Sequence, residues 1–185
     1  MIRKITFFLL IISLASCGSK KKTTYNKERK VSVAPSKTII EKGNSPRSKR
    51  KAEEIAIERK ADKIINSALA FSGTPYKFGG TTKRGMDCSG LLYVAFSEND
   101  ISLPRVSYVM AEEGKEVRVK DVEKGDLLFF RTSKKRKRIN HVGLVVATDN
   151  DEIKFIHAST SRGVIVSSLR EGYWNYAFVK ATRIL

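Results

Sequence analysis

The strongest constraint on the fold of this chain is an alternation. From His141 to Thr148 the residues switch sides one by one. Val142, Leu144 and Val146 fall toward one face, and His141, Gly143 and Val145 toward the other. A period of two marks an extended strand, whose successive side chains point to opposite faces. Asp149-Asn150-Asp151 turns the chain, and Ile153 to Ala158 returns as a second strand. An antiparallel hairpin is therefore expected, and it brings both histidines of the chain, His141 and His157, to one end of a sheet. Asp126 to Phe130 adds a short apolar strand after the turn Glu123-Lys124-Gly125. Val164 to Leu169 and Ala177 to Ile184 complete the set.

The preceding stretch follows a different period. Ile55, Ile57, Ala61, Ile64, Ile65, Ala68 and Leu69 recur at roughly helical spacing, which predicts a helix over 52–71 stopped by Ser72-Gly73-Thr74-Pro75. After a glycine-punctuated loop, Tyr76 to Gly80, a second helix starts at Cys88. It buries Leu91, Leu92, Ala95 and Phe96 and ends near Asn99. Helices followed by strands on short turns imply an α+β domain with an antiparallel sheet. The 185 residues hold one such body, over 52–185, and two upstream segments.

The first of those segments, 1–17, does not read as fold. Arg3 and Lys4 precede an almost unbroken apolar run from Ile5 to Ile12, too short to span a bilayer with ease, as in a secretory signal. It closes on Leu14-Ala15-Ser16-Cys17, which resembles the lipobox of bacterial lipoproteins. That resemblance implies cleavage before Cys17 and a lipid on its sulfur, anchoring the protein to a membrane. Gly18 is compatible, by analogy, with sorting to the outer membrane, where the protein would face the periplasm. Residues 18–51 are rich in Lys, Arg, Ser and Thr, with Pro35 and Pro46 and no apolar period, and read as a disordered basic tether. The formal charge of +17 lies largely there. An exported chain without interleaved aromatics or zinc spacings argues against a nucleic-acid partner. Anionic headgroups or wall polymer fit the charge better.

If Cys17 carries lipid, Cys88 is a single free thiol, which is unusual in an exported protein unless it does chemistry. Cys88 opens a helix, where unpaired N–H groups favour a thiolate. A helix start beside an imidazolium is expected to lower its pKa. Asp87 is placed to cap that helix. The base for neutral-pH chemistry must be a histidine, and the chain has two. One can take the proton of Cys88 while the other fixes its tautomer. A zinc site built on Cys88, His141 and His157 is the rival chemistry, but no C-x-x-C or H-E-x-x-H spacing supports it. No metal or organic cofactor is expected.

Six stretches, in order, resemble the successive motifs of the NlpC-type cell-wall cysteine peptidases. They are Pro75 to Gly80, Asp87 to Leu91, Leu103 to Ser107, Gly125 to Phe130, His141 to Gly143 and Phe155 to Ser159. The resemblance implies a papain-like fold, with the cysteine helix packed on a sheet that carries both histidines. It implies hydrolysis of stem or cross-link peptides of peptidoglycan. On it Cys88 is the nucleophile, His141 the base and His157 the orienting residue. Tyr76, with the Cys88 N–H, falls where the family stabilises the oxyanion. Asp87, Ser89, Arg105 and Ser107 fall in the substrate-binding set. The segment before residue 52 is too short and polar for the wall-binding module of many relatives. The run Ser133 to Arg138, just before His141, reads either as a basic loop at the cleft mouth or as a solvated turn. A monomer is expected. Two further readings stay open: a wall-binding lipoprotein without activity, and an amidase or acyltransferase on the same fold.

Overall fold

The computed structural model describes residues 45–133, 137–149 and 152–185. Helix α1 runs Pro46–Leu69. It begins earlier than the apolar spacing predicts, because capping rather than periodicity sets its start. Ser45 Oγ accepts the Ser48 N–H at 3.2 Å, and Pro46 sits in the first turn, where its missing N–H leaves no bond unmade. Residues 46–51, expected in the tether, are therefore helical. The rest of the expected tether and the signal segment with Cys17 lie outside the described residues. Of α1, Ala61, Ile64, Ile65 and Ala68 are buried, one i, i+3, i+4, i+7 face. Ile55, Ile57 and Leu69 stay exposed, and so does every residue over 46–60.

The remaining elements are β1 (Thr81–Thr82), β2 (Gly85–Met86), α2 (Cys88–Ser97), α3 (Ser107–Met110), β3 (Lys115–Val117), β4 (Leu127–Phe130), β5 (His141–Asp149), β6 (Glu152–Ser159), β7 (Gly163–Ser168), α4 (Gly172–Ala177) and β8 (Phe178–Arg183). Strands β1 and β2 pair as a minimal hairpin. The other six form one antiparallel sheet in the order β3-β8-β4-β5-β6-β7. Each expected strand is present within a residue or two. The elements the sequence did not suggest are the short ones: β1, β2, α3, β3 and α4.

The sheet is buried on both faces. Leu127, Phe129, Val142, Leu144, Ile156 and Ala158 pack against Ile64 and Ile65 of α1 and Leu91, Leu92 and Phe96 of α2. Leu128, Phe130, Val145, Phe155 and Ala181 form a second layer with Trp174 of α4. Burying one such side chain stabilises by roughly 1.5–3 kcal/mol. The alternation read from the sequence thus assigns Val142 and Leu144 to the helical layer, and His141 and His157 to the α4 layer, beside the Trp174 ring.

The turn between β6 and β7 is tied to the end of α1. Gly73 N–H donates to the Val164 carbonyl and Val164 N–H to the Thr74 carbonyl, each at 2.8 Å. Gly163 has φ 70°, and a Cβ there would run into the Thr74 carbonyl, so only glycine fits. Among the described residues no helix is long and apolar enough to cross a membrane.

Candidate active site

Cys88 is the first residue of α2 and is buried, 7% exposed. Asp87 caps the helix from an extended backbone, accepting the Gly90 N–H on Oδ1 at 2.6 Å. Its Oδ2 accepts the Gly79 N–H at 2.7 Å. Arg105 then closes on both oxygens, Nη1 to Oδ1 and Nη2 to Oδ2, each at 2.9 Å. It also donates to Ser89 Oγ at 2.9 Å, while Ser89 donates to Asp87 Oδ1. Gly90 permits this density, since a Cβ there would press on the Gly80 carbonyl, Asp87 Oδ1 and Arg105 Nη2. Burial alone would raise the Asp87 carboxyl. The hydrogen bonds from Arg105, Gly90 and Gly79 outweigh it and hold the group below the ordinary carboxylate range.

Three of the four residues expected to bind substrate therefore form one closed network at the α2 start, beside Cys88. Both Asp87 oxygens are engaged by this network. Its evident work is to fix the loop 79–80, the first turn of α2 and Arg105 in one geometry. Ser107 lies apart from the network, buried at the start of α3.

The start of β5 packs against α2, with Cys88 and Val142 in one core cluster, and the Val142 amide favours the Cys88 thiolate. His141 is the residue before Val142. Its Nε2 lies 3.1 Å from His157 Nδ1, and His157 Nε2 lies 3.1 Å from Ser167 Oγ. The tautomers follow by counting donors. If His141 Nδ1 is to accept a proton from the thiol, Nε2–H must donate to His157 Nδ1. His157 then carries its proton on Nε2 and donates to Ser167. The facing nitrogens at hydrogen-bond distance leave no room for an ion between them. Among the described residues no cluster of three or more His, Cys, Asp or Glu is gathered for a metal.

Aromatic rings enclose this relay. Trp174 stacks on His141, with centroids 5.1 Å apart and an interplanar angle of 24°. It meets His157 edge-on at 4.6 Å, and Phe155 lies 5.0 Å from His157. His157 is fully buried. Burial pushes His141 down to about 4 and His157 down to about 3, the latter helped by the positive charges of His141 and Arg162. Burial likewise pushes Cys88 up to about 11. The Val142 amide opposes this, the Asp87 carboxylate adds to it, and the Ser89 and Cys88 amides oppose it again. The expected lowering of the thiol pKa is thus reversed. The resting pair is a neutral thiol beside a neutral imidazole, because the helix start lies inside the protein rather than at its surface.

A groove of about 270 Å³ opens beside His141, lined among others by Thr132, Arg162, Glu171, Tyr173 and Trp174. A larger cleft of about 720 Å³ lies along α1 by Glu123–Asp126 and Thr148 and includes none of Cys88, His141 and His157.

With this geometry established, comparison with known proteins decides the family. A model of the NlpC/P60 family matches residues 73–183. The chain belongs to the NlpC/P60 family. By that membership it is a cysteine-peptidase-type hydrolase of peptidoglycan, papain-like in fold. It is 43% identical over 115 residues to a Haemophilus influenzae protein named as a probable endopeptidase, covering 62% of this chain and 68% of that one. It is 38% identical over 124 residues to the Escherichia coli K12 murein DD-endopeptidase MepS/murein LD-carboxypeptidase, covering 66% of this chain and 62% of that one. The fold matches a crystal structure of an NlpC/P60 family protein from Bacillus cereus at TM-score 0.61 and 29% identity, covering 68% of this chain and 40% of that one.

Within this NlpC/P60 domain, Tyr76 packs against the core that contains Met86 and Cys88 and is bridged to Met86, two residues before the nucleophile. Lys134, Lys135 and Arg136 of the basic run lie outside the described residues. Lys137 and Arg138 are exposed, and Arg138 rests over the Tyr108 ring at 5.6 Å. Sequence reasoning missed Ser167 and Trp174. The one tryptophan of the chain was a visible signal, but the fold that brings it to His141 was not.

Proposed function

We propose that this chain is a peptidoglycan endopeptidase in which Cys88 attacks a stem or cross-link peptide, His141 carries the proton, and His157 orients His141. The observation that supports it most is the packing of the α2 start, with Cys88, against the β5 start, with His141 and Val142, backed by the His141–His157–Ser167 relay. As sulfur adds to the carbonyl, its proton passes to His141 Nδ1. Tyr76 and the Cys88 N–H are the donors proposed for the oxyanion. Collapse breaks the C–N bond, and His141 returns the proton to the leaving amine, leaving a thioester. Water, deprotonated by His141, then releases the acid and restores the thiol.

The name of the Escherichia coli relative favours the D-alanyl to diamino-acid bond of a cross-link. The D-glutamyl to diamino-acid bond within a stem is the alternative. A lipid on Cys17 would hold the enzyme to a membrane, the outer one by analogy. The cations around residues 134–138 would then steer it to anionic wall polymer.

The test is digestion of purified sacculi, with muropeptides resolved by mass. The expected result is loss of cross-linked dimers with the full chain, and no release with Cys88→Ala that still unfolds cooperatively. Unchanged muropeptides with wild type, or equal release by Cys88→Ala, would overturn the reading. Cys17→Ser should move the protein out of the detergent phase.

A further inference from the structure

The groove beside His141 holds a cation with no stated work. Arg162 lines it together with His141 and Trp174. The residue sits in the β6–β7 turn, immediately before Gly163, and that turn is fixed to Thr74 by paired backbone hydrogen bonds. Its position is therefore held by the fold rather than by its own side chain. Its charge is felt at the relay, where it opposes protonation of His157. Among the described residues no carboxylate forms an ion pair with it. Glu171 lines the same groove but accepts the Ser168 N–H at 3.0 Å. Besides His141 and the Trp174 indole, the other polar groups lining the groove are the hydroxyls of Thr132, Ser159, Thr160, Ser161 and Tyr173.

The direction of the groove follows from the chemistry. In acyl transfer to a thiol, the imidazole hands its proton to the leaving amine, so the amine side of the substrate must depart past His141. None of the residues lining this groove comes from the nucleophile helix, the Tyr76 loop or the Arg105 network. Because His141 is the one relay residue that lines it, the groove opens on the histidine side of the site, the side past which the amine departs. A cation in a small polar groove, without an acidic partner, suits a carboxylate, which a guanidinium binds through paired, charge-assisted hydrogen bonds.

We propose that Arg162 is a specificity-determining residue that binds a free carboxylate on the amine-side residue of the substrate. This rests on the endopeptidase reading above. In both candidate bonds the amine side is a diamino acid, whose carboxyl groups can be free or masked. Arg162 then makes the enzyme sense that masking: a carboxamide at this place loses the charge and one acceptor oxygen.

The experiment uses the full chain and two soluble stem-type peptides, identical except that the amine-side residue ends in a carboxylate or a carboxamide. Wild type is expected to prefer the acid in kcat/KM by about ten- to a hundredfold, the worth of one charge-assisted contact. Arg162→Gln should remove most of that preference, by losing on the acid far more than on the amide, and Arg162→Lys should restore part of it. An equal loss on both peptides overturns the inference, since it would mean that Arg162 acts through the relay or the turn. So does a wild-type rate that ignores the difference. If wild type shows no Cys88-dependent cleavage of either peptide or of sacculi, the endopeptidase reading falls and takes the inference with it. Cleavage of both peptides at one rate by wild type and Arg162→Gln overturns the inference alone.

Discussion

The two halves of the proposed catalytic pair, Cys88 and His141, are held by opposite means. Around Cys88 the polar partners are charged and closed on one another: Asp87, Arg105, Ser89 and the amides of Gly79 and Gly90. Around His141 the packed partners are neutral and aromatic: Trp174, Phe130 and a histidine that ends on a hydroxyl. The first half fixes the geometry of a helix start by hydrogen bonding to a permanent charge. The second fixes a ring by packing, and its burial favours the uncharged ring. A thiol proposed as nucleophile needs its backbone fixed, because its own amide and that of Ser89 favour its thiolate. A base needs its ring plane and tautomer fixed, which stacking and one acceptor achieve.

The sharpest test of the contrast lies within the relay. His141→Ala removes the proton carrier and should cut kcat/KM on sacculus-derived peptides by about 10²–10⁴-fold. His157→Asn keeps an acceptor for His141 Nε2–H and should lose at least about tenfold less. Equal losses would mean that the two histidines act as one unit.

The next effects concern stability. Arg105→Ala leaves the Asp87 carboxylate buried without its partner. It should cost about 3 kcal/mol in chemical denaturation, the low end for a broken buried pair, because the Arg105 side chain is 32% exposed. Trp174→Ala opens a cavity in the α4 layer and should cost about 3–5 kcal/mol. Added salt should narrow the first loss and leave the second unchanged, and the reverse would erase the distinction between the two halves. Trp174→Ala also admits water to His141. The acid limb of its kcat/KM profile should move up from near 4 toward the ordinary histidine range.

The smallest effect separates the halves by pH. His141 and His157 are buried neutral, so their folded pKa values lie below the unfolded one. The stability they allow is present above about 6.5 and falls as pH drops toward 4 and 3. The Asp87 pKa is also depressed, but from a carboxylate value. Its contribution is complete above about 4 and is lost only below that, as pH falls through the folded pKa. Denaturation midpoints between pH 6.5 and 4 should therefore flatten in a variant with both histidines changed to Gln, while Asp87→Asn should alter the profile only below about 4.

Much of this site could be read from residue types. One thiol in the folded body and two histidines on facing strands leave few choices for nucleophile and base, and period two fixes which face of β5 carries His141. The cap at Asp87 was legible for the same local reason. What stayed hidden needed register or enclosure. Ser167 reaches His157 because β7 pairs with β6 as Phe155 to Ser167, and no local signal fixes that alignment. Trp174 lies in a six-residue helix, too short to show a period. The sign of the thiol shift depended on how deeply the α2 start is buried, which a helix-start motif does not report. The early start of α1 was written in Ser45-Pro46, but its cation-rich composition read as linker.

That early start has a further consequence. The first four turns of α1, up to Lys60, have no buried residue and face the rest of the domain only across an open cleft, so the core contributes little to keep them wound. Their opening costs only local free energy and should proceed while the core from Ala61 onward stays closed. A protease can therefore cut there without first unfolding the enzyme. One cut would separate Cys88, His141 and His157, still assembled, from everything upstream.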